Sequence, residues 1–323
     1  MPTMSRILLA FFLAATTPFS SASAQDYPTK PVKIIVPFGA GGPADVYARV
    51  IGHHLQEALK QSFVVEARPG AGSITGTQEV AKAEPDGYTL LMMSNTHTVN
   101  ETLRPTRPFV LMRDFVAVAP VNYSDLIMVV HPSVPAANLK EFLALLKSKK
   151  GELNYASSGA GTPYHMAGEL FKAMSGTDIV HVPHKASGDA RTAVLGGHVQ
   201  MMIDAITTTA PTVVGGQLRA LGTTGKTRSS LLPDVPTVSE AGVPGYEATI
   251  WLGIMAPAGT PQGIVGKLNA EINKVLAKAE IKDAWAKQGA VPIVMSPAEF
   301  DKYARADIEK WAKVIQTAGI KVQ

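Results

Sequence analysis

The chain contains no cysteine. That excludes disulfides, thiolate metal centres and a cysteine nucleophile. Small exported domains usually need such staples. A chain of 323 residues with 46% hydrophobic content does not, because it can bury a sizeable core. Charge of one sign is also scarce. Thirty Lys and Arg stand against 26 Asp and Glu, a formal net charge of +4 with no basic block. Nucleic acid and an anionic membrane surface are therefore poor partners. Beyond an N-terminal apolar stretch there is no run of the roughly 18 apolar residues that a membrane-spanning helix needs. A G-x-S-x-G nucleophile elbow is missing too, since Ala156 stands where a glycine would have to precede Ser158. Metal ligation lacks a set: His53 and His54 fall on different faces of a helix, and His181-x-x-His184 has no third ligand in view.

What is present begins with a leader. Arg6, an apolar stretch over residues 7–15 and Ala22-Ser23-Ala24 before Gln25 have the order of a signal peptide, predicted over residues 1–24. Removing it takes Arg6 away and leaves a formal charge of +3. An exported, cysteine-free chain with about 300 residues left predicts a two-domain protein of the bacterial periplasm.

Continuous apolar runs recur, as expected of strands covered on both faces: VKIIVPF, FVVEARP, TLLMMS, FVAVAPV, LIMVVHP, LNYASS, DIVHVP, VQMMID, LRALGTT, TIWLGIMAP and VPIVMS. Helical periodicity falls between them, over residues 43–60, 74–83, 138–148, 163–175, 187–196, 261–278 and 297–318. The alternation predicts an α/β fold with mostly parallel sheets flanked by helices.

Gly-Ala-Gly occurs three times, at residues 39–41, 70–72 and 159–161. Each copy follows a strand-like run and precedes a helix-like one. Two copies open related heptapeptides, Gly39-Ala40-Gly41-Gly42-Pro43-Ala44-Asp45 and Gly159-Ala160-Gly161-Thr162-Pro163-Tyr164-His165. Pro43 and Pro163 suit a first helical position, and Thr162 suits a cap. A glycine loop at a helix N-terminus presents N–H groups and partial positive charge to an anion. Two other chemistries compete for these loops. Gly39-x-Gly41-x-x-Ala44 followed by Glu66 formally fits a dinucleotide fingerprint, although the acid lies farther along than usual. Ser158 with a histidine would be the core of a periplasmic serine hydrolase. The plain alternative is a set of structural turns.

The motifs acquire a family likeness when taken in order. YPTKPVKIIVPFGAGGPADVYAR, VVEARPGAGSITG, AEPDGYTLL, VVHPSVP, LNYASSGAGTPYHMAGELF, DIVHVPHK, GGHVQMMID, LPDVPTVSEAG and APAGTP run from Tyr27 to the C-terminal part of the chain. The chain resembles the substrate-binding receptors of tripartite tricarboxylate transporters, the Bug family. That resemblance implies a two-lobed Venus-flytrap binding protein that is not an enzyme and carries no cofactor or metal. Lobe 1 is expected over residues 25–123 plus 250–323 and lobe 2 over 124–249, with hinges at 121–125 and 247–250. The implied ligand is a small organic carboxylate held mainly by loop backbone and water. The implied partner is a cytoplasmic-membrane permease or a sensor protein, and the receptor is expected to be a monomer. Phe38, Ala40, Gly41 and Gly42 would form the first wall, Ser158, Gly161, Thr162 and His165 the second, and Ser94, Thr96, His97, His184 and Asp204 would complete the site. His184 stands where the family commonly has tyrosine. Asp45 would repel a ligand carboxylate and is assigned instead to ordering its own loop.

Overall fold

The computed structural model describes residues 27–321, so the expected leader and its cleavage site lie outside the described residues. The N-terminal part runs β1 (Val32–Val36), α1 (Pro43–Leu59), β2 (Phe63–Ala67), α2 (Ile74–Ala81), β3 (Thr89–Ser94), α3 (Asn95–Leu103) and α4 (Leu111–Asp114). A 16-residue strand, β4 (Phe115–Val130), then leads into α5 (Leu139–Ser148), β5 (Asn154–Ser157), α6 (Pro163–Ser175), β6 (Val180–Pro183) and α7 (Ser187–Leu195). Next come β7 (Met201–Ala205), α8 (Ile206–Val214), β8 (Arg219–Thr223) and β9 (Thr249–Pro257). The chain ends in α9 (Gln262–Ala277), α10 (Ala279–Ala286), β10 (Ala290–Pro292) and α11 (Pro297–Ala318).

Two sheet regions share one strand. The strand order is β2-β1-β3-β9-β4-β7-β5-β6, with β8 and β10 also pairing β4. Residues 115–125 of β4 pair with β9 in the first half, and Leu126–Val130 pair with β7 and β8 in the second. The parallel arrangement holds for β2-β1-β3 and for β6-β5-β7. Around the shared strand every pairing is antiparallel. A helical crossover returns a strand in the same direction, whereas β4 and β9 carry the chain out and back.

Strand alternation explains the apolar runs. On β3, Leu90 and Met92 face one core while Leu91 and Met93 face another. On β4, Leu126, Met128 and Val130 face one core and Ile127 and Val129 the opposite one. The central strands β3, β7 and β9 are buried on both faces, so neither face needs polar side chains there. A further apolar cluster crosses the seam: Met166 of α6 packs among Val99 and Leu103 of α3 and Trp311 and Ile315 of α11.

Candidate functional site

The parallel strands end on one side of the molecule, where ligands of open α/β sheets bind. There a cleft of about 410 Å³ opens between the halves. The first half contributes residues 37–39, 42–44, 69–73 and 94. The second contributes 158–159, 162–164 and 184–187, and Ile250 and Leu252 of β9 complete the lining.

Five helices begin at this cleft. The residues capping their N-termini are Gly42 for α1, Ser73 for α2, Ser94 for α3, Thr162 for α6 and Ala186 for α7. All five caps line it. Each helix N-terminus carries unpaired N–H groups and roughly +0.5 of a charge. Among the lining residues no carboxylate occurs, and Lys185 is the one fixed cation. Much of the remaining wall is apolar: Pro37, Phe38, Pro69, Ala71, Ile250 and Leu252. Such a cleft favours an anion with an apolar body.

Of the residues flagged from sequence, the structure brings Phe38, Gly42, Ser94, Ser158, Thr162 and His184 to the cleft. Ala40 and Gly41 lie on the exposed outer turn of their loop. Thr96, His97, Gly161, His165 and Asp204 are buried and sit outside the lining. Several of these buried groups brace the helix starts. The Gly41 N–H donates to Asp45 Oδ2 at 3.1 Å, and Arg49 pairs with the same carboxylate at 2.9 Å. At the matching place in the second half, the Gly161 N–H donates to His165 Nδ1 at 3.1 Å. Gly41 and Gly161 have φ of +76° and +84°, a left-handed backbone that a side chain would strain. The Asp45/His165 difference is therefore one of acceptor chemistry for the same loop bond.

His97 Nδ1 accepts from the Ser94 N–H at 3.2 Å, which leaves Nε2–H to donate to Thr77 Oγ1 at 2.9 Å. Thr77 in turn donates to Ser73 O at 2.7 Å, so one neutral histidine ties together two capping residues. Phe38 meets that ring edge-on at 5.8 Å between centroids. Asp204 is fully buried; it accepts from Ser187 Oγ at 2.6 Å and Thr209 Oγ1 at 2.7 Å and pairs with Arg191 at 2.8 Å, fixing the start of α7. Burial holds His97 and His165 down to about 4, and burial with His165 alongside takes His181 down to about 3. All three are neutral near pH 7.

Sequence reasoning missed part of the wall. The third Gly-Ala-Gly copy, absent from the expected walls, lines the cleft with Pro69 and Ser73. Its glycine loop ahead of a helix was the available signal. Tyr164 and Lys185 were adjacent to flagged residues, and Ala186 and Ser187 follow within three positions of His184. Nothing in the sequence marks Ile250 and Leu252, which reach the cleft only because β9 runs beneath it. The competing chemistries find no geometry. Glu66 is engaged by Lys33 and Arg68 rather than facing the Gly39 loop. Two close serine–histidine pairs occur among the described residues: Ser157 Oγ with His181 Nε2 at 2.6 Å, where Ser157 has no exposed surface, and Ser133 Oγ with His131 Nδ1 at 2.7 Å, which lies outside the cleft lining. Among the described residues no group of three metal-ligating side chains occurs.

The two-lobed fold with its cleft at strand ends and its ring of helix N-termini defines a periplasmic solute-binding protein. The family model described as "Tripartite tricarboxylate transporter family receptor" matches residues 47–320. Protein BugT of Bordetella pertussis is 36% identical over 324 residues, 99% of each chain. A solved R. palustris protein with adipate superposes with a TM-score of 0.89 at 34% identity, covering 92% of this chain and 99% of that one. MatC from Rhodopseudomonas palustris with bound malate gives 0.85 at 30% identity, covering 90% and 100%. This chain belongs to the tripartite tricarboxylate transporter receptor family, whose members are substrate-binding receptors rather than enzymes.

Proposed function

We propose that this protein captures a small carboxylate between two lobes in the periplasm and presents it to a membrane permease of the tripartite type. The five helix N-termini that meet at an acid-free cleft are the observation that carries this reading. They hold an anion through backbone N–H groups, as helix starts hold phosphate and carboxylate elsewhere. The acids bound by the two solved relatives, adipate and malate, support the ligand class. Contacts to the carboxylate come from the N–H groups of the first turns at Gly42, Ala44 and Tyr164, with Phe38, Ile250 and Leu252 against its apolar body. Lobe 1 comprises residues 25–123 plus 250–323 and lobe 2 residues 124–249. The change of β4 partners after Asp125 and the start of β9 at Thr249 support hinges there. Residues 1–24 act as the export signal.

A thermal-shift screen of mono-, di- and tricarboxylates tests the reading. A ligand at a hundredfold excess over Kd stabilises by about 2.7 kcal/mol, which is readily detected. At least one acid should raise the melting temperature while its neutral amide does not. A broad panel in which no acid shifts the melt defeats the proposal.

A further inference from the structure

Arg104 caps the C-terminus of α3 and reaches the seam between the halves. Its Nη2 donates to Ala160 O, in the second-half Gly-Ala-Gly loop, at 3.4 Å. Nη2 also lies 3.2 Å from the point where Gly72 would carry a Cβ, and Nε lies 3.4 Å from it. Gly72 lines the cleft on its other side. The guanidinium thus stands immediately behind two cleft loops, one from each half.

This cation is poorly compensated. No carboxylate pairs with it among the described residues, whereas Arg107, three positions on, pairs with Glu101. Arg104 Nε is enclosed and has no hydrogen-bond partner. Its single bond, to Ala160, is long for an N–H donor. Burial lowers its pKa from the usual arginine value, although a guanidinium remains charged. Arg104 is half-buried, so the cost falls on its enclosed Nε edge, and a weak bond to one carbonyl returns little of it. Ala160 belongs to the half that withdraws when the cleft opens, and withdrawal lets water back to the guanidinium. Closing the empty cleft therefore desolvates a cation without a counter-ion, and an anion just beyond Gly72 supplies the missing charge.

We propose that Arg104 makes closure of the cleft conditional on negative charge inside it, and so selects an anionic ligand over its neutral isostere without touching either. The proposal rests on carboxylate capture as the function. It differs from the helix N-termini in kind: they hold the ligand, and Arg104 penalises closure without one.

Arg104→Gln, which removes the charge, and Arg104→Lys, which keeps it, separate charge from shape. Two readouts are taken on the full mature protein after far-UV melts confirm folding. The first is small-angle scattering of the ligand-free protein, which needs no ligand and stands even if carboxylate capture fails. Arg104→Gln should be more compact than wild type, and Arg104→Lys should match wild type. The second is the affinity ratio of adipate to adipamide by calorimetry. A charge pair through partly solvated protein is worth on the order of a tenfold preference, which should vanish in the Gln variant and survive in the Lys variant. Unchanged ligand-free scattering in the Gln variant overturns the proposal, as does equal loss of preference in both variants. A wild-type protein that takes adipate and adipamide equally well contradicts carboxylate capture itself, and the scattering arm then decides the role of Arg104 alone.

Discussion

Gly39→Ala should prop the cleft open while leaving the fold sound. A Cβ built on Gly39 would stand 2.5 Å from the Cβ of Ala186 and 3.4 Å from its Cα. Carbon atoms rest at about 3.5–4.0 Å, so the overlap is at least 1 Å. Its nearest neighbours, Ala186 and Lys185 O, lie across the cleft on the second half. Gly39 is not among the residues with left-handed backbone, so alanine brings no strain of its own. Replacing glycine at such a site stabilises by about 0.4–1 kcal/mol through the unfolded chain. Overpacking a closed contact costs about 1–3 kcal/mol, and that cost falls only on the closed state. At 1.4 kcal/mol per factor of ten, affinity for the best-bound acid should fall roughly 5- to 150-fold. The ligand-free melting temperature should hold or rise slightly. Calorimetric titration reads the affinity, and a thermal melt reads the stability. The partner change Ala186→Gly removes the obstructing methyl, and glycine is acceptable at that cap position. The double variant should recover most of the affinity. Wild-type affinity in Gly39→Ala, or no recovery in the double variant, would refute the claim that these glycines are where the halves touch.

Three further outcomes follow from the buried and enclosed groups. His97 and His165 have pKa values of about 4 in the fold against 6.5 in the unfolded chain, so the unfolded state binds more protons between those values and stability falls as pH drops through that window. At pH 5 the loss is on the order of 2 kcal/mol each, with Asp125, raised to about 6 by burial and Glu247, offsetting part of it. The melting temperature should drop by about 5 °C between pH 7.5 and pH 5, and a flat profile would count against neutral bracing histidines. Asp45→Ala removes the acceptor of the Gly41 N–H and the partner of Arg49; it should cost about 1–2 kcal/mol in denaturant melts with Kd changed less than about threefold, and a selective loss of binding would mean that Asp45 meets the ligand. His184 Nε2 is enclosed at the cleft wall without a partner, so His184→Phe should weaken acid binding by about five- to tenfold, whereas unchanged calorimetry would reduce the ring to packing.

How much of this was legible in the sequence differs by element. The strands and the amphipathic helices α1, α5, α6, α9 and α11 followed from apolar period, because each has one face on a core and one in water. Helix α3 did not: Asn95, Thr96, His97, Thr98 and Asn100 are buried, so its sequence is polar where an apolar stripe was sought. Helix α8 contains Pro211, which masked it. FVAVAPV and LIMVVHP look like two strands split by the polar stretch Asn122–Asp125, yet they form β4 without a break. The register shift against β9 between Pro120 and Asn122 accommodates the proline. That polar stretch lies where β4 nears the second sheet, and passage between sheets leaves no periodic signature.

At the site, the glycine loops and their anion preference were readable because they depend on local geometry alone. The distinction between lining and bracing was not. His97, His165 and Asp204 are chemically apt ligand groups, and only packing shows that their polar atoms are taken up by Ser94 and Thr77, Gly161, and Ser187 with Arg191. The glycines acquired a second role that spacing cannot reveal. Gly39 abuts Ala186, and Gly72 abuts Ala160 O, with would-be Cβ distances of 2.5 and 2.7 Å.

The central claim is that helix N-termini, rather than charged side chains, hold the ligand. A crystal structure of the mature protein with the most stabilising acid tests it most directly. The account predicts carboxylate oxygens about 2.7–3.0 Å from N–H groups of the first turns at Gly42, Ala44 and Tyr164, with Lys185 at a distance. A carboxylate held mainly by the Lys185 ammonium, or bound outside the cleft between the Gly-Ala-Gly loops, would contradict it.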